Sequence, residues 1–240
     1  MRYALISGQR QEAQPGLLGA CLSCSDPMVA KCGKVRIWHW AHRGERKCDP
    51  WWENETEWHR AWKGQFPAEW QEVVHHSASG EKHIADVKTD QDWVIEFQHS
   101  HIAPEERQAR NGFYEKLVWV VNGVRQKRDR SQFFNALKKG FPFEGYWSVS
   151  LNNSGLLREW ANDHAPVFFD FGEESRLWLL TPRSSIVGFE QVTEYPRTAF
   201  IKTFRSGGIQ VDEFLKLLKT INPPDLPRRI PNLGPLDRRF

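Results

Sequence analysis

The sequence of 240 residues predicts an α/β fold, and three observations support that class. Residues 84–98 alternate apolar and polar side chains on both sides of a polar turn, as the two strands of a β-hairpin do. Patterns with the helical spacing of three and four residues lie on either side of this hairpin, in residues 54–66 and 104–114. The fully apolar run at residues 117–121 then predicts a buried central strand.

The first helix is expected between a cap at Asn54 or Thr56 and the proline at position 67. Asparagine and threonine are favoured N-cap residues, and the residue before a proline avoids the helical conformation. His59 and Lys63 lie four residues apart and therefore share one face of this helix. Its polar positions are Glu57, His59 and Lys63.

The hairpin at residues 84–98 carries the polar residues that indicate chemistry. Asp86 on the first strand can face Glu96 on the second, and Gln98 lies on the same face as Glu96 because strand side chains alternate. Two carboxylates and an amide suit Mg²⁺ or Mn²⁺, and such an ion is the usual means of phosphodiester hydrolysis. Glu96 and Gln98 interrupt an otherwise apolar run, where a carboxylate is rare unless it is paired or metal-bound. The alternative is a solvated hairpin with one polar face.

A second helix is expected to begin at Pro104, because proline suits the first helical turn. Arg107, Arg110 and Tyr114 then share one face. Arginines beside a metal would contact phosphate oxygens, and the tyrosine could bond to a phosphate or stack on a base. The alternative is an amphipathic helix whose aromatic face packs on the sheet. His101, just before this helix, is a further candidate phosphate contact.

All four cysteines lie between residues 21 and 48, together with two histidines. The Cys21-x₂-Cys24 pair in this cluster is typical of a structural zinc site. His42 and Cys48 are the expected remaining ligands, because the segment after Cys48 leads directly into the first helix. The alternatives for these two positions are His39 and Cys32. Disulfides are also possible, but no signal peptide opens the sequence, so we expect a reduced, cytoplasmic protein.

Several short motifs, in the same order, resemble the competence protein CoiA-like family. They are CLSC at 21–24, HWAH at 39–42, TEWHRAWK at 56–63, ADV at 85–87, IEFQHS at 95–100, EERQARNGFY at 105–114 and VWVV at 118–121. The resemblance covers roughly residues 15–125. It implies membership of the PD-(D/E)XK nuclease superfamily and therefore a restriction-endonuclease-like core, with a mixed central sheet flanked by helices.

The resemblance also implies roles for matching residues. Asp86 corresponds to the motif aspartate, Glu96 to the second carboxylate, and Gln98 to a position usually held by lysine. Glutamine can position water but has no charge to offset that of the transition state. Either the metal alone generates the nucleophile or another residue takes part, and the candidates are Lys88, Lys63 and His59.

A glutamate from the first helix completes the metal site in many such nucleases, and the resemblance implies Glu57 for this role, with Glu53 in reserve. His59 and Lys63 are expected to contact nucleic acid. The expected function is a metal-dependent nuclease acting on incoming or foreign DNA, in competence, recombination or defence. DNA is favoured over RNA only by the resemblance. The alternatives are a non-catalytic nucleic-acid-binding protein that keeps this fold, and a subunit activated by a partner.

Four segments are expected along the chain: a zinc-ribbon-like β element at 1–50, the nuclease core at 51–140, a β-rich module at 141–222 and a Pro/Arg-rich tail at 223–240. The β-rich module should contain strands within 143–151, 166–172 and 176–182 and a helix at 211–219, and it could dock a protein partner. Asp170 is expected in a turn. A helix capped by Ser131 should precede this module and end at residue 139.

Composition sets further limits. The net charge of +3 excludes the large electrostatic footprint of a non-specific DNA-coating protein. No apolar stretch is long enough to cross a bilayer. Basic clusters at 125–130, at 138–139 and in the tail are either solvated faces or contacts to a nucleic-acid backbone.

Overall fold

The computed structural model describes residues 1–44, 48–51, 54–77, 80–143, 146–161, 165–181 and 188–206. Within these ranges the chain forms one sheet of five strands and one of nine, together with α-helices. No helix in them combines the length and the apolar character needed to cross a membrane. Glu53, the expected helix at 211–219 and the tail at 223–240 lie outside the described residues.

The N-terminal sheet is antiparallel throughout, in the order β2-β1-β3-β4-β5. Its strands are β1 (Tyr3–Ile6), β2 (Gln9–Glu12), β3 (Leu18–Ala20), β4 (Pro27–Lys31) and β5 (His39–His42). A two-residue turn with positive φ at Ser7 and Gly8 joins the first two strands, which is the backbone geometry that matches strand twist. Met28 and Trp40 fill its core. The expected N-terminal β element is therefore present.

The larger sheet has the order β10-β11-β14-β13-β12-β9-β8-β7-β6. Its strands are β6 (Gln71–His76), β7 (Lys82–Lys88), β8 (Val94–Gln98), β9 (Leu117–Asn122), β10 (Phe141–Phe143), β11 (Tyr146–Ser150), β12 (Val167–Asp170), β13 (Arg176–Thr181) and β14 (Phe189–Pro196). The helices are α1 (Glu57–Lys63), α2 (Pro104–Phe113), α3 (Asp129–Lys139), α4 (Gly155–Trp160) and α5 (Arg197–Arg205). Strand β9 runs parallel to both of its neighbours, β8 and β12, and the other pairs are antiparallel.

Alternation along the central strand divides the core between the two faces of this sheet. Trp119 and Val121 pack against residues of α3 and α4 on one face, whereas Val118 and Val120 pack against residues of α1 and α5 on the other. All six positions of β9 are buried, as expected for a central parallel strand covered on both sides. The α/β class and the mixed, helix-flanked sheet are confirmed.

The predicted first helix is α1, and Thr56 is its cap. The Thr56 hydroxyl accepts from the His59 backbone N–H at 3.3 Å, and the His59 ring accepts from the Thr56 N–H, which forms a capping box. The helix ends at Lys63, earlier than the proline at 67 suggests, because Gly64 forms its C-cap. Helix α2 begins at Pro104 as predicted.

The predicted boundary at residues 140 and 141 does not coincide with a break in the sheet. Strand β12 pairs in parallel with β9, so the later strands extend the same sheet. Ser131 is not a cap: α3 begins at Asp129, and the Ser131 hydroxyl donates to the Arg128 carbonyl within the first turn. Asp170 ends β12 as a buried acceptor for the indole N–H groups of two tryptophans.

Candidate functional site

A cavity of about 60 Å³ lies where α1, β6, β7, β8 and α2 meet the N-terminal sheet. Its lining is strongly charged, with five carboxylates and two cations. These residues are Asp49, Glu55, Lys63, Glu72, Asp86, Glu96 and Arg110. The excess of carboxylates in a partly enclosed space makes it a candidate for cation binding.

Asp86 lies where the strand pairing is interrupted on both sides. The β7–β8 register, continued by one residue, places it opposite Glu96, but its Oδ2 instead accepts from the Phe97 N–H at 3.0 Å. On the β6 side the register skips Glu72, which has a φ of 48°. Because the regular backbone pairing with β6 and with β8 is interrupted at Asp86, there is room for side chains between the strands. The predicted hairpin thus brings both Asp86 and Glu96 to the cavity.

Glu96 retains one oxygen that nothing in the described structure satisfies. The residue is only 3% exposed, and its Oε2 accepts from Arg110 Nη1 at 2.8 Å. Its Oε1 is buried without a hydrogen-bond partner among the described residues. Burial raises the pKa of Glu96 to about 8; Arg110 opposes this shift, and Asp86 and Asp49 add to it. A cation beside Oε1 would offset both the cost of burying the Glu96 charge and its repulsion by Asp86 and Asp49.

Lys63 forms the centre of a buried ion-pair network. Its Nζ lies 2.8 Å from Glu72 Oε1, 2.9 Å from Glu55 Oε1 and 3.9 Å from Asp86 Oδ1. Burial disfavours its charge, but the three carboxylates outweigh burial and raise the pKa of Lys63 above its ordinary value. Lys63 therefore keeps its proton and acts in this cavity as a fixed positive charge.

Glu72 and Glu55 belong to the ion-pair network around Lys63. Glu72 accepts from the backbone N–H groups of Arg2 at 2.7 Å and Tyr3 at 3.0 Å, in addition to Lys63. Burial alone would raise the pKa of Glu72, but Lys63 and the chain's amino terminus lower it to about 2. Glu55 is held by Arg60 and Lys63. Of the carboxylates expected from the sequence, Asp86 and Glu96 line the cavity.

Two of the predicted catalytic residues lie away from this cavity. Glu57 is exposed at the start of α1 and is not part of the lining; Glu55, two residues earlier, takes the place expected of it. The reason is that the chain enters α1 through the cap at Thr56, which turns the preceding residue inward. Gln98 is buried, and its amide donates to the Ser100 carbonyl at 3.1 Å.

His59 lines the cavity, but it is buried, and both of its ring nitrogens are engaged. Its Nε2 donates to the Phe97 carbonyl at 2.9 Å, and its Nδ1 lies 2.9 Å from the Thr56 hydroxyl. These contacts join α1 to β8. Lys63 is equally buried, so neither residue offers the surface contact to nucleic acid that the sequence suggested.

The predicted phosphate-binding face of α2 is turned inward. Arg110 and Tyr114 are buried, and Arg110 pairs with Glu96 and with Glu106 one turn earlier. The alternative prediction, a helix that packs on the sheet, describes this face correctly. The helix presents Arg110 to the sheet because a buried carboxylate on β8 requires a partner.

Arg107 and His101 both contact Glu159, which lies outside the cavity. Arg107 donates to the Glu159 carbonyl and lies over the Trp160 ring, 5.1 Å from its centroid. The exposed His101 has its Nδ1 3.3 Å from Glu159 Oε1. These contacts join α2 to α4 and place both residues apart from Asp86.

Asp49 is a cavity residue that sequence reasoning missed. Its Oδ2 accepts from the Ile84 N–H at 2.9 Å, and its Oδ1 lies 3.0 Å from His83 Nδ1. Trp51 stacks on the His83 ring at 3.3 Å. Because Asp49 directly follows Cys48, it connects the cysteine cluster to the strand that carries Asp86. Glu72 was also missed, because its strand β6 (QEVVHH) is mostly polar and does not mark a carboxylate as buried.

Cys21, Cys24, His42 and Cys48 form a second site, with one possible ligand atom from each residue inside 4.8 Å of the others. Cys21 and Cys48 sulfurs are 3.8 Å apart, and His42 Nε2 lies 3.4 Å from Cys24 Sγ and 3.5 Å from Cys48 Sγ. Tetrahedral zinc with ordinary bond lengths would separate two sulfurs by about 3.8 Å and a sulfur from a nitrogen by about 3.6 Å. The four residues therefore fit zinc, and they are the four that the sequence favoured.

The alternatives for this site are not supported. His39 turns its Nδ1 to the Ile37 carbonyl at 2.9 Å, and all four cysteines are free thiols. Cys32 stands outside the cluster. Burial, with added repulsion from the neighbouring thiols, raises the pKa of Cys48 to about 12. A divalent cation would offset this cost, since metal-bound thiols lose their protons.

Comparison with known proteins identifies one part of the chain. The family model for the competence protein CoiA N-terminal domain matches residues 20–50. Residues 20–50 are similar to that domain. The matched segment contains β4, β5 and all four residues of the cysteine–histidine cluster. No curated protein and no solved structure matches the chain.

Proposed function

We propose that this chain is a metal-dependent nuclease that hydrolyses phosphodiester bonds of DNA, with Asp86 and Glu96 as ligands of Mg²⁺ or Mn²⁺. The observation that carries the proposal is the buried Oε1 of Glu96, which has no hydrogen-bond partner among the described residues and belongs to a cavity shared with Asp86. An unsatisfied buried carboxylate oxygen is costly and rare. A hard cation supplies what this oxygen lacks.

The cavity also suits the reaction. A volume of about 60 Å³ admits more than one water-sized group. A divalent ion held there would polarise a phosphoryl oxygen and lower the pKa of a bound water. Asp86 Oδ1 and Glu96 Oε1 are the two oxygens that would hold it, while Arg110 fixes the Glu96 carboxylate through the other oxygen.

Lys63 takes the part of the missing motif lysine in this proposal. Lys88 pairs with Asp92 at the far end of the hairpin, and His59 has both nitrogens engaged. Lys63 Nζ lies 3.9 Å from Asp86 Oδ1 within the cavity. Since Lys63 keeps its proton, its contribution is to offset negative charge on the phosphoryl group, not to take a proton from water.

The similarity of residues 20–50 to the CoiA N-terminal domain supports DNA as the substrate. The name of that domain refers to competence, the uptake of external DNA, and the proposed nuclease would process incoming or foreign DNA. The assignment of the core to the PD-(D/E)XK superfamily, with a restriction-endonuclease-like fold, is part of this proposal. Its support is the mixed sheet, the placement of both carboxylates on adjacent strands and the helices on either face.

A second candidate is a non-catalytic nucleic-acid-binding protein with the same fold. The observation that favours it is that both carboxylates already have a cationic neighbour, Lys63 at 3.9 Å from Asp86 and Arg110 at 2.8 Å from Glu96. Such pairs balance part of the charge without a metal. This candidate predicts salt-sensitive binding with no metal-dependent product.

A cleavage assay separates the two candidates. The purified chain is incubated with end-labelled single-stranded and duplex DNA, with Mg²⁺, with Mn²⁺ or without added divalent ion. We expect metal-dependent cleavage that Asp86→Asn and Glu96→Gln abolish and that the exposed matched control Glu57→Gln retains. Binding without cleavage under every metal condition would support the second candidate, and undiminished cleavage by Asp86→Asn would refute the first.

A further inference from the structure

The tip of the β4–β5 hairpin is an exposed surface that neither candidate site uses. We name residues 31–38, with the sequence KCGKVRIW, the hairpin grip. Val35 is 97% exposed and Trp38 is 46% exposed. Lys31, Lys34 and Arg36 are also exposed. Apolar, aromatic and cationic groups therefore share one solvent-facing loop.

The charge of the hairpin grip is unbalanced. Residues 27–43 contain four lysines and arginines and no aspartate or glutamate. Lys31, Lys34 and Arg36 form no ion pair with any residue in the described ranges. The described lysines and arginines of the cavity wall, in contrast, are all paired with carboxylates. The grip thus offers free positive charge to an anionic partner.

The hairpin grip borders the carboxylate cavity. Arg60 Nη2 donates to the Trp38 carbonyl at 2.7 Å and to Glu55 Oε2 at 2.9 Å, and Glu55 lines the cavity. One arginine therefore separates the backbone of Trp38 from the cavity wall. Because the cavity holds five carboxylates and two cations, a polyanion needs cationic groups close by in order to approach it.

We propose that the hairpin grip holds single-stranded nucleic acid at the entrance of the cavity, with Lys31, Lys34 and Arg36 on the phosphates and Trp38 stacked on an unpaired base. Cations interleaved with an exposed aromatic ring are the features by which single strands are bound. In a duplex the bases are already stacked on one another, so Trp38 would have no base face to meet. The inference rests on the proposed function for its choice of nucleic acid as the partner.

Binding is measured on the full-length, zinc-loaded chain by fluorescence anisotropy, with labelled single-stranded DNA and its duplex, in the Asp86→Asn background without added Mg²⁺. We expect the single strand to bind more tightly. Trp38→Ala should weaken single-strand binding roughly 5- to 100-fold, because one stacked base is lost, and Trp38→Phe should keep most of the affinity. Duplex binding as tight as single-strand binding, or unchanged affinity in Trp38→Ala, would overturn the proposal.

The phosphate contacts have their own test. Replacing Lys31, Lys34 and Arg36 together by alanine should reduce the slope of log affinity against log salt by about two units. The matched control removes three exposed cations of α4 and α5, Arg158, Lys202 and Arg205, and should leave the slope nearly unchanged. An equal effect of the two triple variants would show general charge attraction and refute the grip. Zinc content and circular dichroism confirm that each variant is folded.

The nuclease proposal and the hairpin-grip proposal can each be refuted without the other. A chain that binds through the hairpin grip and never cleaves would refute the nuclease and leave the grip standing. A chain that cleaves in a metal-dependent way, while Trp38→Ala binds normally, would refute the grip and leave the nuclease standing.

Discussion

The behaviour of single residues in the cavity follows from which carboxylate oxygens are already occupied. Glu72 is saturated by two backbone N–H groups and Lys63, and its pKa is lowered to about 2. Glu96 has one unsatisfied oxygen, and its pKa is raised to about 8. The same residue type thus serves as a structural anchor in one position and as a candidate ligand in the other.

The raised pKa of Glu96 predicts how the stability of the folded chain changes with pH. Because its pKa is raised from the ordinary value of 4.5 to about 8, the folded chain holds a proton that the unfolded chain has lost between these pH values. This contribution is fully present below pH 4.5 and is lost as the pH rises through about 8. Without divalent metal, the melting temperature of the parent chain should therefore fall more between pH 4.5 and pH 8 than that of Glu96→Gln. The glutamine side chain does not titrate, and its amide oxygen can still accept from Arg110.

Thermal unfolding at the two pH values, with and without Mn²⁺, is the measurement. Mn²⁺ should stabilise the parent chain at pH 8 and leave Glu96→Gln unaffected, because the ligand needs the ionised carboxylate. Equal melting temperatures for both chains across this range would show that Glu96 is not buried and protonated as described.

Lys63 gives a prediction for the stability of the fold. Lys63→Met should leave Glu55 and Glu72 buried without their shared cation and reduce the free energy of unfolding by about 3 kcal/mol. Lys88→Met is the matched control, since Lys88 pairs with a largely exposed Asp92 and such pairs contribute about 0–1 kcal/mol. Urea denaturation of both variants tests this, and equal losses would mean that the buried network does not stabilise the fold.

Among the elements, β7 is held in place from two directions. The backbone N–H of its Ile84 is bound by Asp49, which follows Cys48 of the cysteine–histidine cluster. It also pairs with β6, whose Glu72 accepts from the backbone N–H groups of Arg2 and Tyr3 at the start of β1. The N-terminal sheet and the strand that carries Asp86 are therefore joined through side-chain to backbone hydrogen bonds. Loss of metal binding by the cysteine–histidine cluster should therefore disturb the carboxylate cavity as well as the N-terminal sheet.

Two cysteine variants test this coupling. Cys24→Ser should lose most of the bound zinc and lower the melting temperature, because a structural zinc site stabilises the fold directly. Amide hydrogen exchange at Ile84, Arg2 and Tyr3 should become faster in this variant.

Cys32→Ser is the control, since Cys32 is similarly half-buried and stands outside the cluster. It should keep its zinc and its exchange protection. Zinc loss of the same size in both variants, measured by atomic emission, would contradict the ligand set. Zinc loss without faster exchange at Ile84 would contradict the coupling.

At the scale of the whole molecule, local patterns predicted local structure well. Alternation identified the hairpin of β7 and β8, helical spacing and caps identified α1 and α2, and the apolar run identified β9. The cysteine spacing identified the cluster of Cys21, Cys24, His42 and Cys48. Each of these signals arises within a few residues along the chain.

What the sequence did not predict depends on contacts between distant residues. The parallel pairing of β12 with β9 makes one sheet out of two expected units, and no local pattern encodes it. Glu72 meets Arg2 across 70 residues, and Arg110 turns inward because Glu96 faces it from another strand. The strand β14 and the helices α4 and α5 were not predicted, because their apolar spacing is short.

Asp86 and Glu96 are proposed to hold one divalent ion between them. Crystals soaked in Mn²⁺ and measured at a wavelength with manganese anomalous scattering would locate such an ion. We expect one anomalous peak between these carboxylates, about 2.2 Å from an oxygen of each, and no peak there in Glu96→Gln. A parent structure without the peak, with Lys63 and Arg110 still bound to the carboxylates, would contradict it.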